Sequence, residues 1–295
     1  MFVIKPLRKA VLPVAGFGTR FLPATKSMPK EMLPVVDRPL IQYALDEARE
    51  AGIEEFCLIT GRGKDSLIDY FDVAYELEDV LKSRGKNTSL EALAPASIQA
   101  GCLTAVRQQI PLGLGHAIWC ARTFVGDDPF AVLLPDDLVQ SGGRSCLQQL
   151  ADVYNEKGGC VVAVTEVPKE KTSSYGIIDV ASDDGKLVEI RGVVEKPEPE
   201  EAPSNLSIIG RYILSPEIMK YLAKMERGAG NEVQLTDSMA KLIGQVPFHG
   251  VRYEGHRYDC GSKAGFLEAQ IAYALQRPDL APAMQKIINK YAQKG

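Results

Sequence analysis

The chain has 295 residues, which is enough for one large α/β domain or two modest ones. Hydrophobic residues make up 45% of it and charged residues 24%, as is typical of a globular protein with a sizeable core. The 34 Lys and Arg residues against 38 Asp and Glu residues give a net charge of −4. A protein that binds nucleic acid by general electrostatics usually carries a basic excess, so we expect small-molecule partners and no nucleic acid.

The cysteines and the apolar runs indicate the compartment. None of the 6 cysteines is spaced C-x-x-C, and several lie in apolar runs, which favours buried free thiols over a disulfide framework or a zinc site. No stretch approaches the roughly 18 consecutive apolar residues of a membrane span. The apolar run after Lys9 breaks at Gly16 and has no cleavage site, which predicts a first core strand and not a signal peptide. We therefore expect a cytoplasmic protein that does not contact membranes.

Apolar runs alternate with helical patterns through the first half of the chain. The predicted elements are strand 10–15, helix 40–51, strand 56–60, helix 65–71, strand 103–109, helix 116–124, strand 129–134, helix 145–156 and strand 160–165. Strands that alternate with helices indicate right-handed crossovers and a mostly parallel sheet. Pro13 cannot donate to a sheet ladder, so pairing of the first strand should end there. Residues 72–96 are polar and weakly helical, which predicts an excursion away from the sheet.

The second half changes character. Short strands are predicted over 176–180, 186–194 and 208–214, with turn signals such as Asp183-Asp184-Gly185. Helices are predicted over 215–227, 235–244, 262–275 and 279–293. The expected fold is a single α/β domain over 1–295: a Rossmann-like, mixed, mostly parallel central sheet flanked by helices, with added antiparallel strands that form a second lobe.

A glycine-rich loop follows the first predicted strand, in the segment LPVAGFGTR over residues 12–20. Backbone N–H groups at such a turn can cradle phosphate oxygens, and Arg20, Lys26 and Lys30 add positive charge. A purely structural turn with surface lysines is an equally good interpretation of the glycines alone. Phe21 stands where a dinucleotide fingerprint needs a small residue, and no P-loop motif is present.

The chain resembles the sugar-nucleotide pyrophosphorylases over nearly its whole length. The resemblance rests on nine blocks that occur in the family's order: LPVAGFGTR at 12–20, KSMPKEMLPV at 26–35, QQ at 108–109, GLGHA at 113–117, LPDD at 134–137, YG at 175–176, VEKP at 194–197, NEVQLTD at 231–237 and YDCG at 258–261. The similarity is greatest to members that use UTP and glucose 1-phosphate. It implies a nucleotide-binding half over about 1–170, a sugar-binding half over 171–262 and C-terminal helices over 263–295.

The implied reaction is attack by an oxygen of the sugar phosphate on the α-phosphorus of the triphosphate, with release of pyrophosphate. Since this nucleophile is already anionic at neutral pH, no general base is needed. Catalysis then depends on positioning and on neutralisation of negative charge. The resemblance also implies Mg²⁺ as the cofactor, which prefers few carboxylates together with phosphate oxygens. It implies a homo-oligomer, either a dimer or a tetramer.

The resemblance assigns a role to each matching residue. The implied catalytic residues are Lys30, Arg20 and Lys196, and the implied metal ligands are Asp136 and Asp259. The implied nucleotide-binding residues are Ala15, Gly16, Gly18, Thr19, Lys26, Glu31, Gln109, Gly115 and Asp137, and the implied sugar-phosphate-binding residues are Gly176, Glu195 and Lys196.

Taken without the family, several of these residues have simpler interpretations. Asp136 and Asp137 fit a strand-end turn or a helix cap. Lys196 fits a solvated lysine paired with Glu195. His116 fits a helix start better than a catalyst.

Three alternatives remain open from the sequence. The first is the same chemistry with another base or sugar, such as thymidylyl, adenylyl or guanylyl transfer. The second is a nicotinamide-dependent oxidoreductase, which Phe21 disfavours. The third is a non-catalytic sugar-nucleotide sensor, which has no need for the charge-neutralising groups of the candidate site.

Overall fold

The computed structural model describes residues 4–292. Within them the strands are β1 (Lys9–Pro13), β2 (Pro34–Val35), β3 (Arg38–Pro39), β4 (Glu55–Thr60), β5 (Leu103–Arg107), β6 (Phe130–Leu133), β7 (Asp137–Gln140), β8 (Cys160–Glu166), β9 (Gly176–Asp183), β10 (Leu187–Glu195), β11 (Leu206–Leu214), β12 (Phe248–Arg252) and β13 (His256–Asp259). The α-helices are α1 (Leu40–Glu50), α2 (Ser66–Asp69), α3 (Tyr75–Ser83), α4 (Asn87–Leu93), α5 (Leu114–Cys120), α6 (Arg122–Val125), α7 (Cys146–Lys157), α8 (Ile218–Leu222), α9 (Leu235–Leu242), α10 (Lys263–Gln276) and α11 (Ala281–Ala292).

Nine strands form one mixed sheet in the order β5-β4-β1-β6-β11-β8-β12-β10-β9. The pairs β5–β4, β4–β1, β1–β6 and β8–β12 are parallel, and the other neighbours are antiparallel. The predicted mixed α/β fold is confirmed, and the antiparallel strands of the second half join the same sheet. Pairing of β1 ends at Pro13, as predicted. The division of the domain near residue 170 stays a prediction.

The sheet is buried on both faces, because its strands alternate between two apolar clusters. In β1, Val11 packs into the cluster that holds helices α5, α8 and α9, whereas Ala10 and Leu12 pack into the one that holds α1 and α7. Strands covered on both faces by helices are expected to be apolar throughout, and the middle of β1 is. Helices α3 and α4 have no buried residues, which fits the predicted excursion over 72–96.

The structure differs from the prediction at several elements. Strands β7, β12 and β13 were not predicted, because two of them have only four residues and form by pairing with each other far along the chain. The helix predicted over 215–227 stops at Leu222, and Met225 has a left-handed φ of 53° that redirects the chain. The last predicted helix is α11, and its residue 293 lies outside the described residues.

A buried ion pair joins α1 to β11 beneath the carboxyl end of β6. Arg211 is fully buried, and its Nη2 donates to Oε2 of Glu47 at 2.7 Å. Nη1 of Arg211 donates to the carbonyl of Leu134, and Nη2 also donates to the carbonyl of Asp137. Burial opposes the charge on Arg211, but Glu47 outweighs it and raises the pKa of the guanidinium above its ordinary value. The pair therefore fixes the 134–137 turn in a charge-neutral environment.

We expect Glu47→Gln to lower the free energy of unfolding by about 3–5 kcal/mol, because it leaves the buried charge of Arg211 without a counterion. Urea denaturation measures this change. Glu54→Gln is the matched control, because Glu54 pairs with Arg8 on the surface, with both side chains more than half exposed. Its effect should stay below about 1 kcal/mol. Equal effects of the two substitutions would contradict the assigned role of Glu47.

Candidate active site

A cleft of about 600 Å³ opens at the carboxyl ends of the parallel strands. The loop after β1, the segment after β5 and the turn after β6 form its walls, and Gly261, just after β13, closes one side. In open α/β sheets this edge is where ligands bind, because the loops that follow neighbouring parallel strands meet there. The topology thus brings distant segments of the chain to one place.

The loop after β1 lines the cleft with Ala15, Gly16, Gly18, Thr19 and Arg20, as predicted. Gly18 has a φ of 65°, which favours glycine, and its carbonyl accepts a hydrogen bond from the hydroxyl of Thr25 at 2.7 Å. This turn directs the following residues back over the cleft.

Lys26 is exposed and is not among the residues that line the cleft. The structure therefore does not bring Lys26 to the predicted nucleotide site.

Two buried or half-buried ion pairs lie in the cleft wall. Nζ of Lys30 is 2.5 Å from Oδ2 of Asp136, with 22% and 23% of the two side chains exposed. Burial lowers the pKa of Lys30 and raises that of Asp136, but their mutual attraction outweighs burial and reverses both directions. Glu31 is 1% exposed and accepts from Nζ of Lys64 at 2.7 Å. Both members of the Lys30–Asp136 pair are therefore held in their charged forms.

Asp136 and Asp259 approach one point beside Gly261, and their role as metal ligands stays a prediction. A Cβ built on Gly261 would lie 3.0 Å from Oδ2 of Asp136 and 3.0 Å from Oδ1 of Asp259. Nη1 of Arg20 is 3.3 Å from the same point. The amide of Cys260 donates to the carbonyl of Asp136 at 2.8 Å, which keeps the two segments in register. Burial raises the pKa of the Cys260 thiol to about 12, so this cysteine stays protonated and is not a nucleophile.

The structure argues against a nucleotide contact for Asp137. Its Oδ1 accepts from Nε of Arg257 at 2.6 Å and its Oδ2 accepts from the amide of Gly210 at 2.8 Å. Asp137 is 7% exposed and does not line the cleft. Burial raises its pKa despite Arg257. Asp137 therefore joins β7, β11 and β13 and supports the neighbouring Asp136.

Two further predictions change at the segment after β5. Gln108 lines the cleft and is 8% exposed, whereas Gln109 is exposed and lines a separate pocket. The structure therefore places Gln108, and not the predicted Gln109, in the wall of the cleft. The amide of Gly115 donates to the carbonyl of Val233 at 2.8 Å and so is not free for a ligand. Gly115 packs α5 onto the 232–234 segment instead.

Gly176, Glu195 and Lys196 form a cluster of their own where β9 and β10 pair. Nζ of Lys196 is 3.1 Å from Oε1 of Glu195, and a Cβ on Gly176 would lie 3.4 Å from Oε2 of the same carboxylate. The cluster does not line the cleft itself. Segment 232–237 connects the two, because Glu232 lines the cleft and Thr236 contacts Gly176.

The chain matches a family of known proteins over most of its length. The family described as nucleotidyl transferase matches residues 9–276. The chain belongs to the nucleotidyl transferase family. The resemblance inferred from the nine sequence blocks is thereby confirmed at the level of the family, and the nucleotidyl transferase fold accounts for the position of the cleft.

Three proteins similar to this nucleotidyl transferase have names that refer to UTP or UDP-glucose. A UTP–glucose-1-phosphate uridylyltransferase of Komagataeibacter xylinus is 67% identical over 88% of this chain and 92% of its own. A UTP-bound UGPase from Acinetobacter baumannii is 43% identical, with a TM-score of 0.88 over 96% of this chain and 99% of that one. A UDP-glucose pyrophosphorylase complexed with UDP-glucose is 44% identical, with a TM-score of 0.84 over 92% and 100%.

We expect Gln108→Ala to weaken nucleotide binding by this nucleotidyl transferase about fivefold to tenfold, because a buried amide at the cleft wall is lost. Gln109→Ala is the matched control and should stay within about twofold, since that side chain is exposed outside the cleft. Calorimetric titration of both variants with UTP measures the two affinities. The reverse order of effects would restore Gln109 as the base-reading residue.

Proposed function

We propose that this chain transfers the uridylyl group of UTP to glucose 1-phosphate and so produces UDP-glucose and pyrophosphate. The single observation that carries the proposal is the cleft that Arg20, Lys30 and Asp136 line, with a carboxylate oxygen of Asp259 beside Gly261 at its edge. The 67% identity to a relative named for this reaction supports the choice of substrates. The same cleft supports catalysis over sensing, because a sensor needs no paired cations beside a metal site.

The reaction is a direct in-line displacement. An oxygen of the sugar phosphate forms a bond to the α-phosphorus of UTP, and the bond from that phosphorus to the bridging oxygen of the leaving pyrophosphate breaks. Arg20 and Lys30 stabilise the charge that develops on the leaving group, because both line the cleft. Lys196 binds the phosphate of the sugar, and Glu195 accepts hydrogen bonds from its hydroxyls.

The two carboxylates fit Mg²⁺ as the cofactor. Among residues 4–292 no group of three or more His, Cys, Asp or Glu side chains is arranged to hold a metal. Asp136 and Asp259 alone would leave most coordination positions to phosphate oxygens and water, which is how proteins bind Mg²⁺ next to nucleotides. When bound there, the ion supplies charge neutralisation to the α-phosphate and the sugar phosphate.

We further propose a cytoplasmic homo-oligomer that contacts neither membranes nor nucleic acid. No helix in the described part of the chain is both long and apolar enough to traverse a bilayer. Leu267, Ile271 and Leu275 are exposed at four-residue spacing on α10 and form an apolar stripe that a second copy could cover. Sedimentation velocity measures the mass of the assembly and so distinguishes a dimer from a tetramer.

Pyrophosphate release tests the proposal directly. The purified protein is incubated with glucose 1-phosphate, Mg²⁺ and one of UTP, dTTP, ATP, CTP or GTP. We expect strong preference for UTP and loss of activity with EDTA. Preference for dTTP would keep the mechanism and replace the substrate. Lack of release with any nucleotide, from folded protein, would overturn the proposed reaction and favour a sugar-nucleotide sensor.

We expect Lys30→Ala to lower kcat about 100-fold or more, because it removes a preorganised charge from the leaving-group side of the cleft. Lys26→Ala removes the same charge four residues earlier, from an exposed position outside the cleft, and is the matched control. Steady-state kinetics with UTP compares them. Near-normal turnover of Lys30→Ala would remove Lys30 from the mechanism.

A further inference from the structure

A histidine lies directly behind the part of the cleft wall that Gln108 forms. Nδ1 of His116 is 2.9 Å from Nε2 of Gln108. The imidazole ring stacks on Trp119, with ring centroids 6.1 Å apart and an angle of 24° between the planes. His116 does not line the cleft but lines a separate pocket of about 430 Å³ behind it. His116 therefore acts on a ligand of the cleft only through Gln108.

The amide of Gln108 has one orientation that its surroundings allow. Its Nε2 lies 3.1 Å from the carbonyl of Gly113, which can only accept a hydrogen bond. The NH₂ group must therefore face Gly113, and the amide cannot be turned over without placing two acceptors against each other. The second N–H of the same group then faces Nδ1 of His116.

This orientation determines which proton His116 carries. Because a donor faces Nδ1, that nitrogen has to be the acceptor, and the ring proton of neutral His116 sits on Nε2. Burial lowers the pKa of His116, which favours the neutral ring that this arrangement needs. Both N–H groups of the Gln108 amide are then occupied. Its Oε1 makes no hydrogen bond with residues 4–292 and is left as the group available to a ligand.

We propose that His116 is a positioning residue that, together with the carbonyl of Gly113, holds the Gln108 amide with its oxygen toward the base and thereby selects uracil over cytosine. Uracil presents an N3–H donor to this oxygen, whereas cytosine presents an unprotonated N3, which would face it as a second acceptor. Two buried acceptors that face each other disfavour binding strongly, so this contact discriminates between the two bases. The inference deepens the proposed function and rests on it, because it assumes that the cleft binds the base of a uridine nucleotide.

Two substitutions separate this role from simple packing. His116→Phe keeps a ring that can stack on Trp119 but removes the acceptor. His116→Asn removes the ring but offers a side-chain oxygen near the position of Nδ1. A purely structural role predicts that Phe is the milder change, whereas the positioning role predicts that Asn is.

Calorimetric titration with UTP and with CTP measures the selection, in the presence of Mg²⁺ and without glucose 1-phosphate. We expect His116→Phe to weaken UTP binding about fivefold to tenfold and CTP binding much less, so that the ratio of the two Kd values narrows. His116→Asn should restore most of the wild-type ratio. An unchanged ratio in His116→Phe, or equal losses in the two variants, would overturn the proposal.

A measurement on the unmodified protein guards against a variant that fails to fold. The chain has only 3 histidines, so ¹⁵N spectra of the imidazole nitrogens are simple to assign. We expect His116 as the tautomer protonated at Nε2, with Nδ1 unprotonated and hydrogen-bonded. A proton on Nδ1 in the neutral ring would overturn the inference.

The experiments distinguish failure of the proposed function from failure of the role of His116. If wild-type protein binds neither UTP nor CTP, the proposed function falls and the role of His116 falls with it. If wild-type protein binds UTP tightly and releases pyrophosphate, but its preference over CTP is insensitive to His116→Phe, only the role of His116 is wrong.

Discussion

The buried contact between Arg211 and Glu47 is the constraint on which the candidate site depends. The guanidinium holds the carbonyls of Leu134 and Asp137, so the short turn that carries Asp136 cannot relax away from the cleft. Glu47 is tied in turn to the amide that starts α7, through Leu147. A charge buried this deeply is costly unless it is fully bonded, and here nearly every donor has a partner. One ion pair thus connects two helices, a central strand and the turn that carries Asp136 into the cleft wall.

Charge in the cleft itself is balanced locally. Lys30 faces Asp136, and Arg257 faces Asp137, so each of two adjacent carboxylates has its own cation. The Lys30–Asp136 and Arg257–Asp137 pairs differ in position. Arg257 and Asp137 lie outside the cleft lining and join strands, whereas Lys30 and Asp136 line the cleft. Adjacent residues of one motif are therefore divided between scaffold and chemistry.

Most of the fold and about half of the site could be predicted from the sequence. Long apolar strands such as β8 and amphipathic helices such as α1 carry their own periodic signal, so they were predicted nearly to the residue. Strand β13 could not be, because its four residues are held by pairing with β7 more than a hundred positions away. Long-range pairing also decides the roles of neighbouring residues within one motif, which the sequence alone does not predict. Gln108 and Gln109 are identical in chemistry, and only the sheet determines which one faces the cleft.

The stack of His116 on Trp119, behind the part of the cleft wall that Gln108 forms, has a practical consequence. Trp119 is the single tryptophan of the chain, and it contacts both His116 and the guanidinium of Arg122, whose Cζ is 3.7 Å from the centroid of the indole ring. Its fluorescence therefore comes from one known position, next to the histidine that contacts Gln108 in the cleft wall. The protein carries its own optical probe, and ligand binding to the cleft can be followed in real time without a dye or a label.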